Sequence, residues 1–115
     1  MATRALPKSE WEAYFDHVSK HLKAETAEIE VASINLGDQI EAEWVPFYGV
    51  SYDPKDDVIE FVLEGVDHLV PHPKEVYVDD SIEGLRSIKV VGADGVRHIA
   101  KLKEVLKLPP PDECV

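Results

Sequence analysis

The spacing of apolar residues changes once along this chain of 115 residues, near residue 25, and that change fixes the class of fold. Before it, Trp11, Tyr14, Phe15, Val18 and Leu22 recur at helical spacing and form one apolar stripe. Ser9 and Glu12 are spaced as a capping box, in which a hydroxyl and a carboxylate each satisfy an orphan backbone N–H. Acids gather early (Glu10, Glu12, Asp16), and Lys20 and Lys23 come late, the order a helix macrodipole favours. The spacing predicts an amphipathic helix over residues 10–23, whose aromatic face must dock on another layer.

After residue 25 the period is two. Ala27, Ile29 and Val31 alternate with Glu28 and Glu30, and Ile40, Ala42 and Trp44 alternate with Gln39, Glu41 and Glu43. Pro46 interrupts that run, and the aromatic segment FYGVSYD follows. Ile59, Phe61 and Leu63 then share one face, opposite Val58, Glu60, Val62 and Glu64. β-Character resumes over residues 74–79, 85–91 and 96–103. Turn chemistry separates the runs at Leu36-Gly37-Asp38, at DPKDD (residues 53–57), at residues 80–84 and at GADG, where Gly95 is placed for a positive φ. Connections this short make the strands mostly antiparallel.

The expected fold is therefore α+β, with one N-terminal amphipathic helix followed by six or seven short, mostly antiparallel strands. A small SH3-like or Sm-like barrel is the first architecture, and a single curved antiparallel sheet with the helix packed on it is the alternative. The length fits one domain over residues 1–115, with a loose lead-in at 1–8 and a mobile, proline-rich tail at 109–115.

The stretch over residues 58–78 draws attention as a site. Its alternation lapses at VDHLVPHP, and Pro71 and Pro73 cannot donate to a ladder, so this segment is an edge, a bulge or a loop. Asp67, His68 and His72 are its candidate binding residues. Two histidines four apart would share a helix face and could hold one metal, but the prolines exclude a helix. Along a strand the same spacing leaves the rings about 13 Å apart on one face, so no metal site is assigned.

Composition narrows the function classes. The net charge is −11, and residues 25–67 alone hold twelve carboxylates against Lys55, whereas residues 85–108 are net basic. An acidic field repels phosphate backbones and argues against a nucleic-acid partner. No run reaches the roughly 18 apolar residues of a membrane span, and no secretory leader is recognisable. The single Cys114 has no internal disulfide partner, and the expected compartment is a reducing cytoplasm.

The segments SEWEAYFDHVSK, EVASINLGDQIEAEW and GVSYDPKDDVIEFVLEGVDHLVPHPKEVYV resemble the bacterial domain-of-unknown-function family numbered 5335. The resemblance continues through VVGADGVRHIAKLKEVLKLP and so covers nearly the whole chain. It implies a small soluble bacterial protein and carries over no reaction, cofactor or catalytic residue.

Other constellations read as structural. His17 and His21 form an i, i+4 pair, with His21 beside the buried stripe and His17 towards the polar face. His98 reads as a half-buried strand histidine. Asp53, Asp56 and Asp57 lack the alternating ligands, central Gly and distal Glu of a calcium loop. The pairs Glu41/Glu43 and Glu60/Glu64 lie opposite the apolar faces, whereas catalytic carboxylates have one member desolvated. Cys114 lacks the electropositive surroundings that activate a thiolate. The residues favour a non-enzymatic binding or protein-interaction module without a cofactor, whose partner is another protein or a second copy. The alternatives are a metal-dependent or acid/base enzyme, or a small-ligand sensor, centred on Asp67, His68 and His72.

Overall fold

The computed structural model describes residues 3–23, 25–33 and 37–108. Within them the order is β1 (Thr3–Ala5), a 3-10 turn (Lys8–Glu10), α1 (Trp11–His21), β2 (Thr26–Ser33), β3 (Gly37–Asp53), β4 (Val58–Leu63), β5 (Val66–Pro71), β6 (Pro73–Ser81), β7 (Gly84–Gly92) and β8 (Arg97–Leu106). All pairings are antiparallel, in the sheet order β1-β6-β7-β8-β2-β3-β4-β5. No ladder joins β1 to β5, so the sheet is open and the expected barrel does not close. The alternative, a curved sheet with the helix packed on it, matches. Seven strands follow the helix.

Curvature comes from β3, which runs 17 residues and serves two neighbours. Its first part pairs with β2 and its last part with β4. Pro46, expected to interrupt a strand, instead marks the handover: it faces Thr26 in the β2 register, and its carbonyl accepts the Glu64 N–H. The β2–β3 register slips twice, between Ala27/Ile29 and Ile29/Glu30, and the adjoining Trp44 sits at φ 51°. Such bulges increase local twist and bend the strand. The bend brings Phe47, Ile59, Phe61 and Val70 into one core with Val76, Val78, Leu85, Ile88 and Val90. Each large side chain buried there contributes about 1.5–3 kcal/mol.

The helix stripe behaves as its spacing predicts. Trp11, Phe15 and Val18 are buried, and Tyr14 and Leu22 pack against the same core. Beyond Phe47 the edge of β3 opposite β4 has no strand beside it among the described residues, and α1 takes that place. Ser19 Oγ donates to the Val50 carbonyl at 2.7 Å and accepts the Val50 N–H at 2.9 Å. One hydroxyl thus satisfies both main-chain groups that a neighbouring strand would have paired.

Three local expectations are corrected. The capping box does not form: α1 begins at Trp11 with no side-chain cap. Ser9 lies inside the 3-10 turn, closed by Glu10 N–H to the Pro7 carbonyl, and so lacks the non-helical backbone a cap requires. Residues 3–5, expected within a loose lead-in, pair with β6, where Arg4 binds the Asp80 carboxylate. His17, not His21, is the buried member of its pair; His21 is half-buried and its Nδ1–H donates to the His17 carbonyl. Residues 109–115, expected as a mobile tail, lie outside the described residues, as does Cys114.

Candidate functional site

The segment that loses its alternation is a strand after all, but an edge one. Among the described residues β5 pairs only with β4, in the register Val62↔Asp67, Phe61↔His68, Glu60↔Leu69 and Val58↔Pro71. Faces follow from that register. Val66, His68 and Val70 share the face of the buried Leu63, Phe61 and Ile59, while Asp67, Leu69 and Pro71 point outwards and are exposed. Leu69 keeps 54% of its surface in solvent.

His68 and His72 do not converge. His68 reaches β8 instead, and its Nε2 hydrogen-bonds His98 Nδ1 at 2.9 Å. Burial lowers the pKa of both imidazoles. The field of Glu41 opposes this at His68; at His98 the neighbouring His68 lowers it further, against Asp94 and Glu41. Both rings are therefore neutral at pH 7, and one N–H between two nitrogens makes the bond.

His72 lies between the two prolines and forms the entire connection from β5 to β6. It takes φ 52°, and its main chain ties two hairpin turns together: its N–H donates to the Asp57 carbonyl, and its carbonyl accepts from Ala93. Its Nδ1 lies 3.5 Å from Asp57 Oδ2. Tyr52 donates its phenol to the other Asp57 oxygen at 2.9 Å. That hydrogen bond leads in holding the Asp57 carboxyl below the usual range, with burial opposing and His72 assisting. Asp57 itself sits at φ 54°. This corner is a staple joining three connections, with its polar groups already satisfied by one another.

Among the described residues no three His, Cys, Asp or Glu groups gather where they could hold a metal ion. The aromatic set of β3 divides between inside and outside. Phe47 and Tyr52 are buried, with Tyr52 edge-on to Trp11 at 5.1 Å, whereas Trp44 and Tyr48 are exposed. Tyr48 hydrogen-bonds Glu64. A cleft of about 410 Å³ opens elsewhere, lined by Lys23, Glu25, Thr26, Lys103, Glu104 and Val105. Its lining holds no histidine or cysteine, and the Lys23 main-chain N–H donates to Glu25 at 2.7 Å. No described helix is long and apolar enough to cross a membrane.

Sequence reasoning found the edge through Pro71 but missed the His68–His98 bond. A local signal existed, because Val66, His68 and Val70 continue the two-residue alternation on the apolar face. The partner, 30 residues away, left no trace in the sequence. The segregated charge is also resolved within the chain: basic β8 lies beside acidic β2, with Lys101 on Glu30 at 3.2 Å.

A family model described as a family of unknown function, DUF5335, matches residues 2–111. An uncharacterized protein of Aquifex aeolicus (strain VF5) is 47% identical over 110 residues, covering 95% of this chain and 99% of that protein. No solved structure matches.

Proposed function

Because the chain belongs to the family of unknown function DUF5335, we propose a function from its own geometry: a non-enzymatic protein-interaction module that binds through the free edge of β5. The observation that carries this reading is the position of β5, which ends the sheet with exposed Asp67 and Leu69 and one ladder partner. Native proteins shorten or cover such edges when they are not used. The opposite edge, β1, is only three residues long, and α1 covers the open side of β3. β5 has six residues and, among the described residues, pairs with β4 alone; its Asp67 and Pro71 restrict which strands can join it. The histidines of this segment are engaged, His68 with His98 and His72 with Asp57, which supports binding over chemistry.

The test is an edge-blocking variant. Leu69→Pro removes an N–H from the free side and leaves the β4 ladder in place. The wild-type chain, used as bait in a lysate of its source cell, is expected to retain a defined protein that Leu69→Pro loses while its circular dichroism stays unchanged. Equal retention by both, or no retained protein, overturns the reading.

A further inference from the structure

The identity of the incoming strand can be narrowed, given that β5 is the binding edge. The ladder determines which main-chain groups β5 offers. His72 N–H donates to the Asp57 carbonyl, so this pair is of the hydrogen-bonded kind and the kinds alternate along the register. Val70, His68 and Val66 therefore turn their main chain towards β4. Asp67 and Leu69 turn theirs to the free side, and Pro71 offers only a carbonyl. Neither Asp67 nor Leu69 makes a further main-chain bond among the described residues.

The side chains at those positions stand on the outer face. Asp67 lies beside Val62, and Leu69 beside Glu60. Asp67, Glu60 and Glu64 take part in none of the ion pairs among the described residues, which lie at Arg4–Asp80, His72–Asp57, Arg86–Glu83 and Lys101–Glu30. An added strand would set one side chain against Leu69 and another, two residues away, against Asp67. We propose that β5 accepts an extended basic segment of a partner protein, with an apolar residue opposite Leu69 and a Lys or Arg opposite Asp67. A second copy of this chain is a poor occupant, since each copy carries a net charge of −11 and its own Asp67 at the edge. Five of the chain's twelve bases lie on β7 and β8, interior strands paired on both sides, and Arg4 of the edge strand β1 is held by Asp80.

The test uses the full chain and three sets of eight-residue peptides with one alternating apolar pattern, carrying Lys, Gln or Glu at the charged position. Binding is read from the backbone amide NMR signals of Asp67 and Leu69. The Lys set is expected to shift both signals and to bind roughly fivefold tighter than the Glu set, with Asp67→Lys reversing the preference. Shifts of equal size from all three sets would leave the edge reading standing and overturn the basic partner. No shift from any set would overturn both. Concentration-dependent shifts of the same amides without peptide would make a second copy the occupant and overturn the basic partner.

Discussion

His68 and His98 share one hydrogen bond at 2.9 Å, although three strands of the ladder order separate β5 from β8. The bond ties the edge strand β5 to β8, and its chemistry makes that tie sensitive to acid. Burial holds both imidazoles below their ordinary range, so the unfolded chain takes up protons first as pH falls. The stability from the neutral pair is fully present above about pH 6.5, the unfolded histidine value, and is lost as pH falls through the folded values. Urea midpoints at pH 7.5 and 5.5 check this. The wild-type midpoint drops at pH 5.5, and the drop shrinks in the His68→Gln/His98→Gln double variant. An NMR titration of the imidazoles should show two coupled steps belonging to the pair.

Ser19 gives a second prediction. Its hydroxyl is the sole side-chain partner of both Val50 main-chain groups among the described residues. Ser19→Ala leaves a part-buried N–H and carbonyl unsatisfied, with an expected cost of about 1–3 kcal/mol. Lys20→Ala, next along the helix and exposed, falls within about 0.5 kcal/mol of wild type. Chemical denaturation of the two variants measures the difference.

Two glycines separate backbone conformation from crowding. Gly95 sits at φ 84° in the β7–β8 turn, with open space where a Cβ would go. Gly95→Ala therefore costs only the left-handed backbone, about 1–2 kcal/mol. Gly84 sits at φ 132°, and a Cβ there would lie 2.4 Å from the Leu106 carbonyl oxygen. Gly84→Ala must also push β7 from β8, so its loss in thermal stability exceeds that of Gly95→Ala.

At the β5–β6 corner, His72 holds a left-handed backbone with a side chain that is 73% exposed. An exposed pair 3.5 Å apart contributes little, whereas relief of the backbone is worth about 1 kcal/mol. His72→Gly should leave stability unchanged or raise it, and His72→Val, β-branched at the same φ, should lower it. Thermal melts of the two variants decide the sign.

Where information in the chain is local, the sequence reveals it. Trp11, Phe15 and Val18 announce the docked helix face because burial on a helix repeats every three to four residues. Ile59, Phe61 and Leu63 announce a strand face for the corresponding reason at period two, and Pro71 announces an edge through its missing donor. Features that depend on three-dimensional closure stay hidden. Nothing near Ser19 shows that β3 outruns β2 and needs a hydroxyl, and nothing near His68 names His98. The capping box failed because residues 8–10 wind into a 3-10 turn ahead of α1, which leaves Ser9 without the non-helical backbone of a cap.

The place of β2 in the sheet has a consequence for the chain as it leaves the ribosome. β2 is made early yet lies between β3 and β8, and β8 is the last made of the described strands. Until β8 emerges, one side of β2 is an open template for any other nascent chain. Glu28 and Glu30 stand on that exposed strand, and charge on an unpaired edge deters intermolecular pairing. Lys101 then arrives with β8 and neutralises Glu30. The glutamates guard the growing chain first and join its final sheet afterwards.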